Sequence, residues 1–228
     1  MTAPDTDARS AILSGIRRAL GRDVVADTSA VDARIAARAR NLIPARTDGD
    51  DAHRLAVFRH YAEAVDASVD RVADMAAVPA AVSAYLVREN LAARVVMAPD
   101  ATLDAAPWDD EALLEIRRGV PGRDDAVSVT SAAAGVAETG TLMMLSGPEH
   151  PSTLNFLPET HIVVLPASRI VGAYEDAWQM AREEGERRGQ LPRTVNFVTG
   201  PSRSADIQLT LLLGAHGPRR LHIVIVDD

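Results

Sequence analysis

The chain has 228 residues, enough for one well-filled hydrophobic core, and a formal net charge of −8. All 24 basic residues are arginines, and the sequence contains neither lysine nor cysteine. These absences exclude a Schiff-base lysine, a P-loop lysine, a thiol nucleophile, a thiolate zinc site and a cysteine-ligated iron–sulfur cluster within this chain.

Apolar residues recur at helical spacing in three segments of the first third of the chain. The first segment is predicted to begin with Asp7 as a cap and to end at Gly21, and the second to end before Pro44. The apolar positions of the three segments are Ile12, Leu13, Ile16, Leu20, Val31, Ile35, Leu42, Leu55, Phe58, Tyr61 and Val65. We expect residues 1–70 to form a helical N-terminal arm that packs on the main domain or on a partner.

From about residue 78, short β-branched runs alternate with helical stretches. Helices are predicted after Pro79, over 172–188 and over 204–213. Strands are predicted at 94–98, 126–130, 140–145, 161–166, 194–200 and 221–226. This alternation predicts that residues 71–228 form an α/β domain with a largely parallel sheet and flanking helices. Because the runs 126–130 and 140–145 are too close for a crossover helix, we expect them to pair as one antiparallel hairpin.

The first candidate site is Glu138-Thr139-Gly140-Thr141, directly before a predicted strand. The glycine allows a tight turn or a close approach to a ligand. Glu138 can serve as a nucleophile, a base or an acceptor for ligand hydroxyls, and the threonines can donate to phosphate or carboxylate oxygens. The alternative is a hairpin whose glutamate faces solvent and whose threonines are ordinary strand formers.

The second candidate site is Thr199-Gly200-Pro201-Ser202-Arg203-Ser204 with Asp206, between a predicted strand and a predicted helix. Ligands of α/β sheets bind beyond the carboxyl ends of the strands, and a helix capped by Ser202 or Ser204 offers free N–H groups to an anion. Arg203 adds a planar fork that suits carboxylate or phosphate, and we expect Asp206 to orient Arg203 or a ligand hydroxyl. The alternative is a serine cap that only stabilises the helix.

The third candidate site is Gly214-Ala215-His216-Gly217-Pro218, before the last predicted strand. Gly214 fits the glycine that ends a helix, and Gly217-Pro218 indicates a turn. His216 can act as an acid or base, contact an anion, or make a structural hydrogen bond. Glu138 and His216 are therefore the catalytic candidates, and the remaining candidates for ligand binding include Gly214 and Gly217.

The composition also limits the partners to expect. A net negative charge argues against binding to a nucleic-acid backbone, and the two histidines and two glutamates between residues 149 and 161 fit no metal-ligand spacing. No stretch approaches the roughly 18 apolar residues of a membrane span, and the first residues lack a signal-peptide pattern. We expect a cytoplasmic protein with no metal site, no nucleic-acid partner and no membrane span.

Taken together, four motifs in this order resemble the lactate utilization protein C family, the stand-alone form of the LUD domain. The motifs are AETGTLMML, LPETHIVVLPASRIV, VTGPSRSADIQ and GAHGPRRLHIVIVD, and the opening AILSGIRRALGR also fits. The resemblance implies a Rossmann-like fold of the NagB/RpiA/CoA-transferase type and a part in the oxidation of L-lactate to pyruvate alongside iron–sulfur partner proteins. Because this chain has no cysteine, any cluster would belong to those partners, and no cofactor is expected here beyond an unknown small-molecule ligand.

Three functions remain open at this point. In the first, the three candidate segments face one another at the carboxyl edge of the sheet, where Arg203 holds a carboxylate or phosphate and Glu138 or His216 moves protons. In the second, the chain is a CoA- or sugar-phosphate-type transferase or isomerase that uses Glu138. In the third, the chain is a non-catalytic assembly subunit whose N-terminal arm binds the iron–sulfur proteins.

Overall fold

The computed structural model describes residues 5–21, 27–40, 42–205, 211–214 and 216–228. The chain divides into two compact units, Met1–Leu42 and Ile43–Asp228. The larger unit therefore begins at Ile43, whereas the α/β domain was predicted to begin at residue 71. The reason is that residues 43–70 supply a helix and the start of a strand that belong to the layers of the larger unit.

The smaller unit contains the first two predicted helices. They are α1 (Asp5–Ala19) and α2 (Ser29–Ala37). Because α1 begins before Asp7, the predicted cap at Asp7 is wrong, whereas Gly21 follows the helix in the left-handed conformation with φ +63°. Large apolar side chains of both helices are exposed, among them Ile12, Ile16, Val31 and Ile35, and so is Leu20 directly after α1.

A six-stranded parallel sheet forms the centre of the larger unit. Its strands are β1 (Ser68–Val72), β2 (Arg94–Met97), β3 (Glu115–Arg118), β4 (Val127–Ser131), β7 (Thr160–Pro166) and β12 (Arg220–Val226). The strand order is β1-β12-β7-β4-β2-β3, and every neighbouring pair is parallel. The predicted largely parallel α/β sheet is confirmed, and the buried runs of β4, β7 and β12 are typical of strands covered on both faces.

A second, mixed sheet lies in the same unit. Its strands are β5 (Ala134–Val136), β6 (Thr141–Leu145), β8 (Ile170–Val171) and β9 (Val195–Val198), in the order β8-β5-β6-β9. The predicted pairing of 126–130 with 140–145 is wrong, because β4 lies between two parallel partners in the large sheet. The short strand β5 takes the predicted place of β4 and forms the antiparallel hairpin with β6.

The predicted helix over 204–213 is also wrong. In its place β10 (Arg203–Ala205) pairs antiparallel with β11 (Leu211–Leu213). Short apolar runs such as LTLLL do not distinguish a strand from a helix by periodicity alone, which is the physical reason for the error. Gly214, with φ +81°, therefore follows a strand instead of ending a helix, and Asp206 lies outside the described residues.

Among the described residues of the larger unit, four α-helices accompany these sheets. Alternating side chains of the strands reach both faces of the large sheet. The helices are α3 (Asp51–Ala64), α4 (Val78–Arg88), α5 (Ala101–Asp104) and α6 (Tyr174–Arg188). In β7, Val164 joins the buried cluster that includes Tyr85 of α4, whereas Leu165 joins the cluster that includes Phe58 of α3. Among the described residues, no helix has the length and apolarity that crossing a membrane requires.

Candidate functional site

The three segments predicted as sites come together in the fold. Thr141 Oγ1 lies 2.7 Å from Thr199 Oγ1, which joins the first segment to the second. The N–H of His216 donates to Ser202 Oγ at 3.3 Å, and the N–H of Ser202 donates to the carbonyl of Pro218 at 2.8 Å. The backbone and hydroxyl of Ser202 therefore connect the second segment to the third.

These segments meet at the amino edge of the parallel sheet, so the predicted location at the carboxyl edge is wrong. The second and third segments border a cavity of about 400 Å³, the amino-edge cavity, which is also lined by Val65 before β1 and Phe156 before β7. The predicted residues that line it are Thr199, Gly200, Pro201, Ser202, Arg203, His216 and Gly217. The error arises because β9 belongs to the mixed sheet, so its carboxyl end does not point to the carboxyl edge of the parallel sheet.

A cluster of hydroxyl groups connects the first segment to the amino-edge cavity. Thr139 Oγ1 lies 2.7 Å from Thr141 Oγ1, and the hydroxyl of Tyr174 lies 3.0 Å from both. Thr141 is fully buried and in turn contacts Thr199 at the wall of the cavity. Tyr174, at the start of α6, was not predicted, because nothing in a lone aromatic residue at a helix start indicates a polar contact.

Two predicted glycines allow these loops to pack against the end of α3. Gly140 has φ +64°, and a Cβ at this position would lie 2.1 Å from the backbone nitrogen of Ala62. Gly200 has φ +69°, and a Cβ there would lie 2.4 Å from the carbonyl oxygen of Val65. Both positions therefore require glycine for conformation and for space.

Arg203 is the basic side chain at the amino-edge cavity, and it is paired. Its Nη2 contacts Oδ2 of Asp66, a largely exposed residue in the left-handed conformation with φ 64°. The predicted anion site at a helix N-terminus is absent, because β10 occupies this place and the Ser202 N–H is already bonded. Anion recognition here would depend on Arg203, whose guanidinium has further N–H donors.

Glu138 has a structural partner. Its Oε1 accepts a hydrogen bond of 3.1 Å from the N–H of Tyr174, the first residue of α6. The side chain is 8% exposed, and a carboxylate at this end of a helix is stabilised by the unpaired N–H groups. The proposed catalytic role of Glu138 stays a prediction.

A second cavity lies at the carboxyl edge of the parallel sheet, and sequence reasoning missed it. This carboxyl-edge cavity has a volume of about 390 Å³ and is lined by Asp100, Ser131, His150, Arg169, Glu184 and Arg188 together with neighbouring residues. Asp100 is 4% exposed and accepts hydrogen bonds from Ser131 Oγ and from the N–H of Thr102. The position of Asp100 two residues after the predicted strand 94–98 was the available signal.

Ion pairs between charged side chains form one wall of the carboxyl-edge cavity. Glu184 accepts from Arg187 and Arg188. Burial raises the pKa of Glu184, but the Arg188 hydrogen bond and the charges of Arg187 and Arg169 outweigh it, so the pKa is lowered. The same hydrogen bond raises the pKa of Arg188. Among the described residues, no group of three or more His, Asp or Glu side chains is placed to hold a metal ion.

Two buried histidines lie near the amino ends of their strands. His161 is fully buried with Nε2 2.7 Å from Thr130 Oγ1, and burial lowers its pKa to about 3. His222 is also fully buried, stacks on Tyr85 at 4.0 Å between ring centroids, and has its pKa lowered to about 4, chiefly by burial. Both are neutral structural groups near neutral pH.

Comparison with known proteins shows a family resemblance. Residues 123–226 match the family model of the LUD domain. Proteins named lactate utilization protein C match at 39% identity over 93 residues in Geobacillus kaustophilus (41% of this chain, 39% of that protein) and at 34% over 131 residues in a Geobacillus species (57% and 53%). The matched part thus spans about two fifths to one half of these relatives, and the predicted resemblance to this family is confirmed.

The fold also has a solved counterpart. A crystal structure of a DUF162 family protein from Deinococcus radiodurans superimposes with a TM-score of 0.58 at 22% identity, and the match covers 78% of this chain and 99% of that one. At this identity the likeness establishes the fold alone.

Proposed function

We propose that this chain takes part in lactate utilization, in the oxidation of L-lactate to pyruvate, and that it binds a small carboxylate in the amino-edge cavity. The match of residues 123–226 to the LUD domain family model supports this proposal. The relatives named lactate utilization protein C support the pathway. The observation that carries the site is that the second and third segments line one cavity and are joined through Ser202 and His216, while the first segment contacts the cavity wall through Thr141 and Thr199.

Arg203 is the group that would hold the carboxylate. Its ion pair with Asp66 joins partly and largely exposed side chains, with 34% and 73% exposure. Exposed pairs of this kind contribute about 0–1 kcal/mol, so a ligand carboxylate that offers two parallel hydrogen bonds can replace Asp66 at low cost. We expect Asp66 to pair with the Arg203 guanidinium when no ligand is bound, and so to keep it beside the cavity.

The other end of the ligand would face hydroxyl and imidazole groups. Thr199, Ser202 and His216 line the same cavity as Arg203, and hydroxyls can donate to a keto oxygen or accept from a ligand hydroxyl. His216 is exposed, and an imidazole is the side chain best suited to exchange a proton near neutral pH. His216 is therefore the proposed acid–base group, with the buried Glu138 as support for α6.

Electron transfer would belong to other proteins. Without cysteine this chain offers no thiolate for an iron–sulfur cluster, so the proposal includes iron–sulfur partner proteins. The exposed apolar side chains of α1 and α2 are the surface that we assign to such partners.

The test is binding of L-lactate and pyruvate to the purified chain, measured by isothermal titration calorimetry. Arg203→Gln is expected to weaken binding by about tenfold or more, because the charge and the planar fork are both lost. Arg71→Gln is the matched control, since Arg71 pairs with Asp227 at similar exposure and does not line the cavity. Equal affinities of the two variants, or no binding of either acid to the wild type, would refute the proposed site.

A further inference from the structure

The carboxyl-edge cavity is at the point of the sheet where ligands of parallel α/β folds are expected. Asp100 follows β2, and Ser131 is the last residue of the neighbouring strand β4. The chain leaves β2 toward β3 at the edge of the sheet, whereas it leaves β4 toward β5 in the mixed sheet. Where the connections that follow two adjacent parallel strands lead in different directions, a crevice forms at the carboxyl ends of those strands.

One wall of this cavity is a fixed set of hydrogen-bonding groups. The buried carboxylate of Asp100 is oriented by Ser131 Oγ and the Thr102 N–H, and His150 Nδ1 lies 3.7 Å from its Oδ2. All four of these residues line the cavity. A carboxylate held in this way accepts further hydrogen bonds, so this wall suits ligand hydroxyl groups.

A second wall of the cavity is cationic. Glu184 is 17% exposed in its side chain and holds Arg187 and Arg188. Arg169 lines the cavity as well, and among the residues that the structure describes it has no ion-pair partner, although its charge acts on Glu184. An exposed guanidinium without a partner beside two oriented ones suits an anionic group with several oxygens.

The glutamates that line this cavity already have partners other than Arg169. Glu149 lies 3.6 Å from Arg188, and Glu183 accepts from Gln179. A neighbouring hollow of about 640 Å³ shares His150 and Arg188 with the carboxyl-edge cavity, so a ligand larger than lactate has room to extend. The carboxyl-edge cavity therefore differs from the amino-edge cavity in two ways. It has additional space beside it, and it has one wall with a carboxylate and another with arginines.

We propose that the carboxyl-edge cavity is a second binding site, for a small polyol phosphate whose hydroxyls meet Asp100 and His150 and whose phosphate meets Arg169 and Arg188. The site is separate from the proposed lactate site, because none of its lining residues lines the amino-edge cavity. The ligand is only bound there: none of its bonds is formed or broken, and no cofactor takes part.

The experiment compares three probes on the full chain by isothermal titration calorimetry: glycerol 3-phosphate, inorganic phosphate and glycerol. Glycerol 3-phosphate is expected to bind about tenfold more tightly than inorganic phosphate, because only the former uses both walls. Arg169→Gln should weaken both phosphate-bearing probes by about tenfold. Asp100→Asn should weaken glycerol 3-phosphate while leaving inorganic phosphate unchanged, and Ser131→Ala, which retains the carboxylate, is the second variant should Asp100→Asn fold poorly.

Two controls separate this proposal from the proposed function. Arg203→Gln should leave glycerol 3-phosphate binding unchanged while it weakens lactate, and Arg71→Gln should change neither. The proposal is overturned when Arg169→Gln binds glycerol 3-phosphate as the wild type does, when Arg203→Gln loses it instead, or when the wild type does not bind it.

Discussion

The amino-edge cavity and the carboxyl-edge cavity lie at opposite ends of the same parallel sheet and are held by different contacts. At the amino edge, loops are held by close backbone approach, with Gly140 against Ala62 and Gly200 against Val65. At the carboxyl edge, side chains are held by charge, with Asp100 bonded to Ser131 and Glu184 bonded to two arginines.

This difference in contacts explains why the sequence predicted the segments at the amino edge but not the cavity at the carboxyl edge. Glycine at a left-handed position occurs in short motifs, because the turn and the adjacent contact residues are neighbours in the chain. Charged pairs such as Glu184 with Arg188 on one helix look like ordinary helix-surface pairs, and nothing in the chain links them to Asp100. A site built by glycines is therefore visible as a motif, and a site built by scattered charges is visible only in the fold.

The largest expected effect comes from the backbone contact at the amino edge. Gly140→Ala places a Cβ within the backbone of α3 at a residue with φ +64°, and we expect a loss of about 4 kcal/mol in the free energy of unfolding. Gly189→Ala is the matched control: its φ is +72°, but nothing lies within 4 Å of the added carbon. That variant should lose about 1 kcal/mol from conformation alone. Urea denaturation measures both.

Both variants place alanine at a left-handed glycine position. The difference between their losses of unfolding free energy therefore reports the contact with α3 alone. Equal losses for Gly140→Ala and Gly189→Ala would mean that the loop moves away from α3 without cost. The amino edge would then be as tolerant of substitution as an exposed turn, and the contrast with the carboxyl edge would fail.

The same contrast describes how much the sequence predicted. The long apolar strands β4, β7 and β12 were predicted because strands buried on both faces are continuous apolar runs. The hairpin partner was wrong because the three-residue strand β5 is too short to show a pattern. The amino-edge location was missed because a strand's membership in one sheet or the other depends on tertiary contacts that β9 does not reveal.

Acid should weaken the amino half of the sheet before the carboxyl half. Burial holds the pKa of His161 at about 3 and that of His222 at about 4, both below the ordinary 6.5 that applies in the unfolded chain. Below about pH 6.5 these two histidines therefore bind protons in the unfolded chain but not in the folded chain. As a result, the free energy of unfolding falls as the pH drops below about 6.5. At about pH 5 each histidine should cost about 2 kcal/mol of unfolding free energy relative to neutral pH.

Urea denaturation at several pH values between about 7 and 5 tests this loss. His161→Asn removes one titrating group, so the fall in stability over this range should be about half that of the wild type, whatever the stability of the variant at neutral pH. A fall of unchanged size would show that His161 is protonated in the folded chain. The carboxyl edge is expected to contribute little here, since Glu184 has a lowered pKa and loses its charge only in stronger acid.

The smallest expected effects compare one buried carboxylate from each region, Asp100 and Glu138. Asp100 accepts from Ser131 Oγ and the Thr102 N–H, whereas Glu138 accepts from the Tyr174 N–H. Asp100→Asn leaves one carbonyl oxygen for two donors and should cost about 1–2 kcal/mol, whereas Glu138→Gln keeps an acceptor for its single donor and should cost less than about 1 kcal/mol. Glu138→Gln also separates support from catalysis, because a group that only holds α6 leaves the proposed lactate binding, and turnover with the proposed iron–sulfur partners, intact. Loss of turnover in a Glu138→Gln variant of near-native stability would instead favour the transferase-type nucleophile. In the wild-type chain incubated with acyl-CoA, conversion of an activated Glu138 carboxyl group into a hydroxamate by hydroxylamine would then identify that nucleophile.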